Sequence, residues 1–541
     1  MITQLTQHIY DLVGLCAEFG VEKAIVCPGS RCAPLLIGFG KHPVIETISV
    51  TDERSAGFVG LGMAQQSGKP VVLVCTSGTA AQNFAPAVTE AFYQNVPLIV
   101  LTADRPPEWI DQWDGQTIRQ NNLYADHVKG SYIFDKNNVA VAETAFKLAL
   151  DRGQGPVHLN IPIGEPFYFE TNVKVIFNAK PQRPQKFKKY KIDEAIWNEF
   201  ESLLKSSEKV MFLGGQMEPN LELVALLNKL EFPVLGDVIS NLHGVDEGIQ
   251  SIDLIFKTVN KTMALDFLIT FGRSVVSKNL KLYLRKYKPK HHWHIGEGMV
   301  GDPFKALSKT IEMPSLQFFK KWSKINAEKI TKVEKGKSNY FILLSEAQKK
   351  VDKNLNSKLE NSEFNYFSAV QKIIQNLPEK CELHLGNSMP VRIANFIGIK
   401  NPTINVWCNR GTSGIDGVVS TAVGHALAEP AQKHVLIIGD LSFFYDRNGL
   451  WLNHKFPRNI RIVILNDNGG GIFNMISEAS SQGNLTELFT TPHQRTAKLT
   501  AQEFGLEYRS AKSLEEITGW KSGVLEIFTD MELNTNFFKK L

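Results

Sequence analysis

Acidic and amide side chains follow two strand-like runs in the last quarter of the sequence. Asp440 follows the apolar run 435–438, and Asn466 and Asp467 follow a second run at 462–465. Short runs of branched apolar residues are typical of strands in a parallel sheet that helices cover on both faces. Because the carboxyl ends of such strands open on the ligand crevice, we expect these three side chains to lie close together.

Two carboxylates at one edge of a sheet suit a hard cation. Mg²⁺ prefers oxygen ligands and is usually held by one or two carboxylates together with phosphate oxygens and water. Asp440 and Asp467 can supply two of these oxygens, and the glycines from Gly469 onward allow a main-chain carbonyl and a phosphate to come close. The alternative interpretation is that both acids are turn residues, since Asp and Asn are common after strands.

The elements that must position these groups have an α/β pattern. Strand-like apolar runs alternate with helical patterns almost throughout, which predicts parallel sheets flanked by helices. The segment RNGLWLNHKF (447–456), between the two acidic strand ends, is predicted to form a crossover helix. Two lysine-rich segments, at 180–191 and 321–338, are interpreted as linkers. They divide the chain into three predicted domains: 1–180, 181–345 and 346–541.

The composition excludes several classes of protein. The chain has 541 residues and a net charge of +5 from 60 basic and 55 acidic side chains. The basic residues are dispersed, which argues against binding to nucleic acid or to an anionic membrane. The six cysteines form no CxxC pair, no apolar run reaches the roughly 20 residues of a membrane span, and the first residues lack the regions of a signal peptide. The sequence therefore predicts a cytoplasmic protein without stable membrane insertion.

The spacing of the acidic groups resembles a known signature. GDL at 439–441, followed by 24 residues and then ND at 466–467, is similar to the GDG and NN signature of thiamine diphosphate enzymes. The resemblance implies a metal, Mg²⁺ or Mn²⁺, held by Asp440, Asp467 and the carbonyl of Gly469, and cofactor contacts from Gly439 and Asn466. The chain departs from the signature at Leu441 and Asp467. An aspartate is still a hard oxygen donor, so the metal role is retained.

Thiamine diphosphate enzymes also need a carboxyl group at N1′ of the cofactor pyrimidine, where it promotes the imino tautomer that activates the thiazolium C2. The family takes this group from a Glu that follows a strand of the N-terminal domain. Glu53 in TDERSAGF (51–58) has this position, and a helix rich in small residues is predicted to follow it. The resemblance therefore implies that Glu53 is catalytic; the alternative is an ordinary surface Glu.

Six motifs extend the resemblance to one enzyme family. They occur in order over the two outer domains: CPGSRCAPLL (27–36), TDERSAGF (51–58), CTSGTAAQNFAPAVTEAF (75–92), LTADRPPE (101–108), NRGTSGIDG (409–417) and NDNGGGIF (466–473). Together they resemble the 2-succinyl-5-enolpyruvyl-6-hydroxy-3-cyclohexene-1-carboxylate synthases of menaquinone biosynthesis. The resemblance implies decarboxylation of 2-oxoglutarate and conjugate, Stetter-like addition of the succinyl unit to isochorismate. The central domain matches mainly in architecture.

Both implied substrates carry carboxylates, for which arginine is a strong partner because its planar fork makes two parallel hydrogen bonds. The candidates are Arg31, Arg105 and Arg410 in these motifs, Arg392 in the further matched segment GNSMPVR (386–392) and, as the weakest, Lys278 in GRSVVSK (272–278). A single such residue is usually a surface charge or a structural ion pair. Four arginines in matched motifs predict an anion-binding site, in which the family pattern makes Arg105 the isochorismate contact.

Further contacts are implied by the resemblance alone. Gln116 is implied to hold a water or substrate oxygen for proton delivery, and Ser388 to lie near the cofactor diphosphate. Ile415 is implied to support the bent conformation of the cofactor. The remaining implied substrate contacts are the polar Ser30 and an apolar wall of Ile472 and Phe473. For the two wall residues, a role in the core is an open alternative.

The resemblance also implies an assembly. The cofactor should lie between the first domain of one subunit and the third domain of another, so the active protein should be a homodimer or homotetramer. The competing enzyme is an acetolactate-synthase-like or simple 2-oxoacid decarboxylase. A catalytically inactive paralogue that binds ligand for regulation is the alternative from another class, and the intact Glu53, Asp440 and Asp467 argue against it.

Overall fold

Three sheets organise the described part of the chain. The computed structural model describes residues 2–168, 175–178, 190–329, 338–452, 455–476, 479, 481, 483 and 486–541. The strand pairs with a defined register are parallel, so crossover connections link strands that are consecutive in the chain. The predicted α/β fold class, with parallel sheets flanked by helices, is confirmed.

The first sheet lies near the N-terminus, with the strand order β2-β1-β3-β4-β6-β5. Its strands are β1 (Lys23–Val26), β2 (Glu46–Ser49), β3 (Val71–Cys75), β4 (Leu98–Asp104), β5 (Ser131–Ile133) and β6 (Val157–Pro162). The accompanying helices are α1 (Ile2–Glu18), α2 (Ala33–Lys41), α3 (Glu53–Ser67), α4 (Thr79–Asn83), α5 (Ala85–Gln94) and α6 (Ala140–Leu150). Every residue of β3 and β4 is buried, as expected of central strands covered on both faces.

The second sheet has the strand order β11-β10-β9-β7-β8. Its strands are β7 (Val210–Gly214), β8 (Val234–Gly236), β9 (Phe267–Phe271), β10 (His291–Gly296) and β11 (Lys309–Glu312). Its helices are α7 (Glu194–Ser206), α8 (Leu221–Leu227), α9 (Ile252–Thr258), α10 (Lys278–Lys286) and α11 (Ser315–Lys329).

The third sheet contains the strands that precede the acidic groups, in the order β13-β12-β14-β15-β17-β16. Its strands are β12 (Cys381–Leu385), β13 (Asn405–Trp407), β14 (Lys433–Gly439), β15 (Ile460–Asn466), β16 (Tyr508–Ala511) and β17 (Gly523–Phe528). The helices of this part are α12 (Asn339–Glu360), α13 (Tyr366–Gln375), α14 (Met389–Ile397), α15 (Val418–Ala428), α16 (Asp440–Tyr445), α17 (Thr486–Thr490), α18 (Lys498–Glu503), α19 (Leu514–Ile517) and α20 (Met531–Lys540). The two strands predicted before Asp440 and Asn466 are confirmed as β14 and β15, which are neighbours in the sheet.

Packing groups the described residues into two compact units. The first unit comprises residues within 1–187, 409–434 and 442–460, and the second comprises those within 188–408, 435–441 and 461–541. Each of the three predicted domains contains one sheet, but the domain boundaries stay a prediction. The linker predicted at 180–191 lies mostly outside the described residues, and the one at 321–338 lies partly outside them.

The predicted crossover helix at 447–456 is wrong over the residues described there. A short helix, α16, begins directly at Asp440, and only residues 447–450 form a further, single 3₁₀ turn. Asn448 donates a hydrogen bond to Asp52 Oδ2 at 2.8 Å, and a Cβ on Gly449 would meet Ser420 Oγ at 2.6 Å. These contacts, made by two residues with weak helix propensity, replace the α-helix that the apolar spacing predicted.

The state of the cysteines and the hydropathy of the helices bear on two predictions, reduced thiols and no membrane span. All six cysteines are buried free thiols, and burial raises the pKa of Cys32 to about 12. They therefore pack as protonated thiols. Over the described ranges, we find no helix that is long and apolar enough to cross a membrane.

Helix α3 contacts α15 at very short range within the first unit. A Cβ added to Gly62 would lie 2.1 Å from the Thr421 carbonyl oxygen, and one added to Gly424 would lie 2.1 Å from the Val59 carbonyl oxygen. The predicted small-residue helix after Glu53 is confirmed as α3. Its small residues are needed because the two backbones touch where a side chain would stand.

We expect Gly424→Ala to lower the thermal unfolding temperature of the protein. The new methyl group must push the two helices apart, and overpacking of this kind typically costs about 1–3 kcal/mol. Gly40→Ala is the matched control, because Gly40 lies in α2 and a Cβ there meets nothing within 4 Å. Circular dichroism melting should show a loss for Gly424→Ala and none for Gly40→Ala; equal melting temperatures would contradict the close packing.

Candidate active site

Two buried carboxylates face each other at the carboxyl ends of β14 and β15. Asp440 is 3% exposed and Asp467 is 5% exposed. Asp440 Oδ1 accepts a hydrogen bond from the Leu441 main-chain N–H at 2.6 Å, and its Oδ2 accepts one from the Gly469 N–H at 3.0 Å. Asp467 Oδ2 accepts one from Asn534 Nδ2 at 3.3 Å. The predicted convergence of these two acids is confirmed.

The electrostatics of this pair favour a bound cation. Burial raises the pKa of Asp440 to about 7, and burial together with the negative charge of Asp440 raises the pKa of Asp467 to about 7. Both shifts mean that the ionised pair is costly without a counter-charge. A divalent cation between the two carboxylates would remove that cost.

The glycines around the pair have separate roles. Gly469 adopts φ +154° and lies so close to Thr490 that a Cβ would be 2.6 Å from its carbonyl oxygen. A Cβ on Gly471 would lie 2.3 Å from Asp467 Oδ2. A Cβ on Gly439 would meet nothing within 4 Å, so space is open beside the end of β14. The glycine run lets this loop approach Asp467, and the open side of Gly439 leaves room for a ligand.

The described ranges contain no group of three or more His, Cys, Asp or Glu side chains that could hold a metal ion. The predicted metal site has only two acidic side chains, since its third ligand is the main-chain carbonyl of Gly469. The metal assignment of Asp440, Asp467 and Gly469 therefore stays a prediction.

Asn466 does not converge with the two acids as predicted. Its side chain is fully buried and turns to the other side of β15, where Nδ2 donates to Glu526 Oε1 at 2.8 Å and to the Arg495 carbonyl at 3.0 Å. Its Oδ1 accepts a hydrogen bond from the Asn468 N–H at 3.0 Å. Successive strand residues point to opposite faces, which separates Asn466 from Asp467. Any cofactor contact of Asn466 is therefore expected from its main chain.

The structure adds His493, which the sequence motifs did not indicate. His493 Nε2 lies 3.1 Å from Asp440 Oδ2, and its Nδ1 accepts a hydrogen bond from the Arg495 N–H at 3.0 Å. The two residues are more than fifty positions apart, and no local pattern around His493 marks it. Only the fold of residues 493–497 against the 466–469 loop could reveal this contact.

Ser388 stands at a strained turn between β12 and α14. Its backbone angles are φ 72° and ψ −121°, in a region that L-residues with a side chain rarely adopt. Such strain typically costs about 1–3 kcal/mol and is retained where the neighbouring structure fixes it. The turn follows β12, which lies next to β14 in the sheet. This placement at a strand end fits the predicted role of Ser388 near the diphosphate.

Lys278 and Arg392 both lie near one acidic side chain, Asp253. Burial raises the pKa of Asp253, and the Asn279 N–H, bonded to Asp253 Oδ1 at 2.7 Å, and the positive charge of Arg392 oppose this rise. Lys278 is exposed at the first position of α10. The structure thus brings these two predicted substrate contacts together around a carboxylate of the protein.

Arg31 has the environment expected of an anion-binding residue. It is 2% exposed, and its Nη1 donates to the Ile163 carbonyl at 2.7 Å. The rings of Trp109 and Phe167 lie 5.2 and 4.4 Å from the guanidinium carbon. Its buried Nε and Nη2 have no hydrogen-bond partner among the described residues. Because buried donors are normally paired, these two are suited to an oxygen ligand that the described residues do not supply. The neighbouring Ser30 is exposed and accepts a hydrogen bond from the Tyr168 hydroxyl at 3.3 Å.

Arg105 and Gln116 belong to one exposed loop. Arg105 Nη2 donates to the Gly115 carbonyl at 2.6 Å, which holds the loop that precedes Gln116. Gln116 has φ 59°, is exposed, and lies 3.4 Å from the position of a Cβ on Gly78. The Gly78 N–H donates to Gln120 Oε1 at 2.7 Å. The structure therefore holds Arg105 against the loop residue that precedes Gln116.

Glu53 is the first residue of α3, directly after its N-cap Asp52. Asp52 Oδ1 accepts hydrogen bonds from the Arg54 N–H at 3.0 Å and the Ser55 N–H at 3.4 Å. Burial raises the pKa of Glu53, and the charge of Asp52 adds to this rise. A half-buried carboxyl with a raised pKa suits the predicted role of Glu53 at a ring nitrogen.

A buried acid of the motif 75–92 that was not predicted as a site residue, Glu90, fixes the loop of Arg410 and Ile415. Glu90 in α5 is fully buried and accepts hydrogen bonds from the Gly411 N–H at 2.8 Å and the Thr412 N–H at 2.6 Å. Arg410 is half-buried, while Ile415 is 38% exposed, and its carbonyl accepts from Ser442 Oγ at 3.1 Å. An exposed isoleucine on a fixed loop is available to a ligand.

Ile472 and Phe473 lie on a 3₁₀ turn at residues 471–475 and are half-buried. Ile472 packs against the core of the third sheet. The Phe473 ring lies 5.9 Å from that of Phe489. The core interpretation thus holds in part for Ile472, and the wall predicted for the substrate stays a prediction for both.

Comparisons with known proteins agree with this geometry. The profile described as "Thiamine pyrophosphate enzyme, N-terminal TPP binding domain" matches residues 10–124, and the one described as "Middle domain of thiamine pyrophosphate" matches residues 186–385. Proteins named 2-succinyl-5-enolpyruvyl-6-hydroxy-3-cyclohexene-1-carboxylate synthase are similar over nearly the whole chain. One from Cytophaga hutchinsonii is 39% identical, over 99% of this chain and 98% of its own length. Others from Flavobacterium psychrophilum and Phocaeicola vulgatus are 38% and 36% identical, over 98% and 99% of this chain and 98% and 97% of their own lengths.

The chain belongs to the 2-succinyl-5-enolpyruvyl-6-hydroxy-3-cyclohexene-1-carboxylate synthase family. The resemblance drawn from the six motifs is confirmed. The match also covers the central domain, where the sequence motifs were weakest, because the middle-domain profile includes the second sheet.

We expect Ser388→Gly to melt at a higher temperature than Ser388→Ala. Glycine adopts positive φ without a steric penalty, whereas alanine keeps the Cβ that strains this turn. The difference should correspond to about 1 kcal/mol, since the entropy of glycine in the unfolded chain offsets part of the relief. Differential scanning fluorimetry of both variants checks this. A less stable glycine variant would mean that the backbone at Ser388 is not strained.

Proposed function

We propose that this enzyme decarboxylates 2-oxoglutarate with thiamine diphosphate and adds the succinyl unit to isochorismate. The product is 2-succinyl-5-enolpyruvyl-6-hydroxy-3-cyclohexene-1-carboxylate, with release of CO₂. The observation that carries the proposal is the pair of buried carboxylates at the ends of β14 and β15, in a chain whose relatives are named for this synthase. The buried, unpaired nitrogens of Arg31 support carboxylate substrates.

The residues of the second unit fit a metal-bound diphosphate. Asp440 and Asp467 are hard oxygen donors whose pKa values burial raises to about 7, and space is open beside Gly439. We assign Asp440, Asp467 and the Gly469 carbonyl to Mg²⁺ or Mn²⁺, and Gly439, Asn466 and Ser388 to the diphosphate side of the cofactor. When bound, thiamine diphosphate supplies the nucleophilic carbon and the electron sink that decarboxylation requires.

Proton transfer and carboxylate binding are assigned to further residues. Glu53, whose pKa is raised by burial, holds a proton at N1′ of the pyrimidine. Ile415 supports the cofactor from its fixed loop, and Gln116 orients a water or substrate oxygen. The carboxylates of the two substrates pair with the basic residues Arg31, Arg105, Arg410, Arg392 and Lys278, with Ser30, Ile472 and Phe473 as further contacts. Arg105 is assigned to isochorismate.

The same proposal includes the assembly and the location. We infer a cytoplasmic homodimer or homotetramer, in which Glu53 of one subunit and Asp440 of another serve one cofactor. Sedimentation velocity of the purified protein tests this assembly. A protein that is active as a monomer would contradict it.

The central test is turnover with both substrates. Purified protein with thiamine diphosphate and Mg²⁺ should consume isochorismate only when 2-oxoglutarate is present. Glu53→Gln should keep the fold and cofactor binding but lose most of the activity, since an amide cannot promote protonation at N1′. Slowed exchange of the cofactor C2 proton, followed by NMR, should accompany this loss.

Three outcomes would contradict the proposal. Consumption of pyruvate with formation of acetolactate, or decarboxylation of 2-oxoglutarate that ignores isochorismate, would favour the competing decarboxylase function. Binding of cofactor without any turnover at saturation would favour an inactive, regulatory paralogue. Wild-type C2 exchange in Glu53→Gln would remove Glu53 from its catalytic role.

We expect Arg105→Ala to lower kcat/KM for isochorismate by about 10- to 150-fold, because a hydrogen bond to a charged group is worth about 1.5–3 kcal/mol. Arg105→Lys should restore only part of the loss. Arg119→Ala is the matched control, since Arg119 lies on the same loop, is largely exposed and pairs with Asp111. Steady-state kinetics and cofactor titration should separate the two; equal kcat/KM for Arg105→Ala and wild type would reject the assignment.

A further inference from the structure

Glu526 is a buried carboxylate that the proposed function does not use. It lies in β17, between β15 and β16, and is 0% exposed. No lysine or arginine forms an ion pair with it within the described residues, so its charge is balanced by hydrogen-bond donors. A buried carboxylate of this kind is costly unless every oxygen is well satisfied. The free-energy cost of burying this carboxylate inside the sheet suggests that Glu526 has a specific role.

The hydrogen-bond donors around Glu526 come from the last residue of β15, from the 493–497 segment and from β16. Oε1 accepts from Asn466 Nδ2 at 2.8 Å and from the Ala497 N–H at 3.1 Å. Oε2 accepts from Thr496 Oγ1 at 2.6 Å, from the Tyr508 hydroxyl at 2.7 Å and from the Ala497 N–H at 3.1 Å. One carboxylate thus joins the 466–469 loop, which follows β15, to the 493–497 segment.

Both of these segments reach Asp440. In the 466–469 loop, Asn466 Oδ1 accepts from the Asn468 N–H, and the Gly469 N–H donates to Asp440 Oδ2 at 3.0 Å. In the 493–497 segment, His493 Nε2 lies 3.1 Å from the same oxygen. The segments also bind each other, since the His493 N–H donates to the Asn468 carbonyl at 3.0 Å.

We propose that Glu526 is a positioning residue for the half of the site that binds the metal and the diphosphate. Glu526 fixes the spacing of the two segments that contact Asp440, and through them the orientation of the Asp440 carboxylate. The inference rests on the proposed function, because it concerns the same cofactor. It adds a residue from β17 that lies outside every motif of the sequence and that touches neither metal nor cofactor.

Glu526→Gln is the sharpest substitution because it keeps the size and shape of the side chain. The hydroxyls of Thr496 and Tyr508 can rotate to accept from the new amide. Asn466 Nδ2 and the Ala497 N–H can only donate, so a glutamine nitrogen in place of Oε2 loses the bond from the Ala497 N–H. The remaining bonds lose the strength that the carboxylate charge gave them, so the link between the two segments should weaken without a cavity forming in the core.

The control is Glu382→Gln in the same sheet. Glu382 in β12 is 3% exposed and accepts hydrogen bonds from Asn405 Nδ2 at 2.8 Å and Trp407 Nε1 at 2.5 Å, both on β13. The substitution, the burial and the sheet are the same, but its partners lie on the strand at the opposite edge from β16. A general loss of stability should appear in both variants, and a loss of positioning only in Glu526→Gln.

The experiment measures the dissociation constant of thiamine diphosphate by calorimetry with the full-length protein at fixed Mg²⁺. Loss of a residue that orients a ligand side chain typically costs about 10- to 100-fold in metal affinity, and we expect Glu526→Gln to raise the dissociation constant by this amount. At saturating cofactor, kcat should stay close to the wild-type value. Glu382→Gln should keep the wild-type dissociation constant at a similar melting temperature.

Asp440→Ala, measured alongside, separates the positioning role of Glu526 from the proposed function. Weaker cofactor binding in Asp440→Ala but unchanged binding in Glu526→Gln would overturn the positioning role and leave the proposed function intact. Unchanged binding in Asp440→Ala would overturn both. Equal losses in Glu526→Gln and Glu382→Gln would also overturn the inference, because they would show an effect of stability alone.

Two milder substitutions, Thr496→Val and Tyr508→Phe, keep the test decisive if the Glu526→Gln protein does not fold. Thr496→Val removes a donor that lies on the 493–497 segment, whereas Tyr508→Phe removes a donor to the same oxygen, Oε2, from β16. We expect Thr496→Val to weaken cofactor binding and Tyr508→Phe to leave it near the wild-type value. The reverse order, or no effect of either, would overturn the positioning role.

Discussion

The central physical constraint in the second unit is the desolvation cost of two carboxylates, Asp440 and Asp467, buried at the ends of neighbouring strands. Two neighbouring strands end with buried carboxylates that face each other, and burial raises the pKa of each to about 7. The surrounding loops supply donors to these oxygens, from the Gly469 N–H and from Asn534. Buried charges without a partner are costly, and in the proposed function a cation held by the two carboxylates offsets this cost.

Two further buried acids, Glu90 and Glu526, hold main-chain loops in place. Glu90 receives the N–H groups of Gly411 and Thr412, and Glu526 receives the Ala497 N–H. Charge-assisted hydrogen bonds to a carboxylate are shorter and stronger than neutral ones, so each acid holds its loop firmly without contacting a ligand. The loops that carry Arg410, Ile415 and His493 are thereby pre-organised.

In the first unit, close backbone contact holds the helix that carries Glu53. Gly62 on α3 and Gly424 on α15 leave no room for a side chain, and the helix that begins at Glu53 is held against residues 418–428 by that contact. The position of Glu53 is thus set by a packing constraint over the following turns of its helix. Rigid placement of a catalytic group by a packed helix is more exact than placement by a loop.

The sequence by itself determined the α/β fold class, the two strands before the acidic groups and the family. These follow from local information: apolar periodicity, the spacing between GDL and ND, and motifs in a fixed order. It also placed Asp440 and Asp467 together, because strand ends at one edge of a parallel sheet converge. It was wrong about the helix at 447–456, where contacts of Asn448 and Gly449 with distant residues replaced the local preference. Only the tertiary structure decided that Asn466 turns to Glu526, that His493 lies beside Asp440 and that Glu90 holds the loop of Arg410, since these contacts link residues that are far apart in the chain.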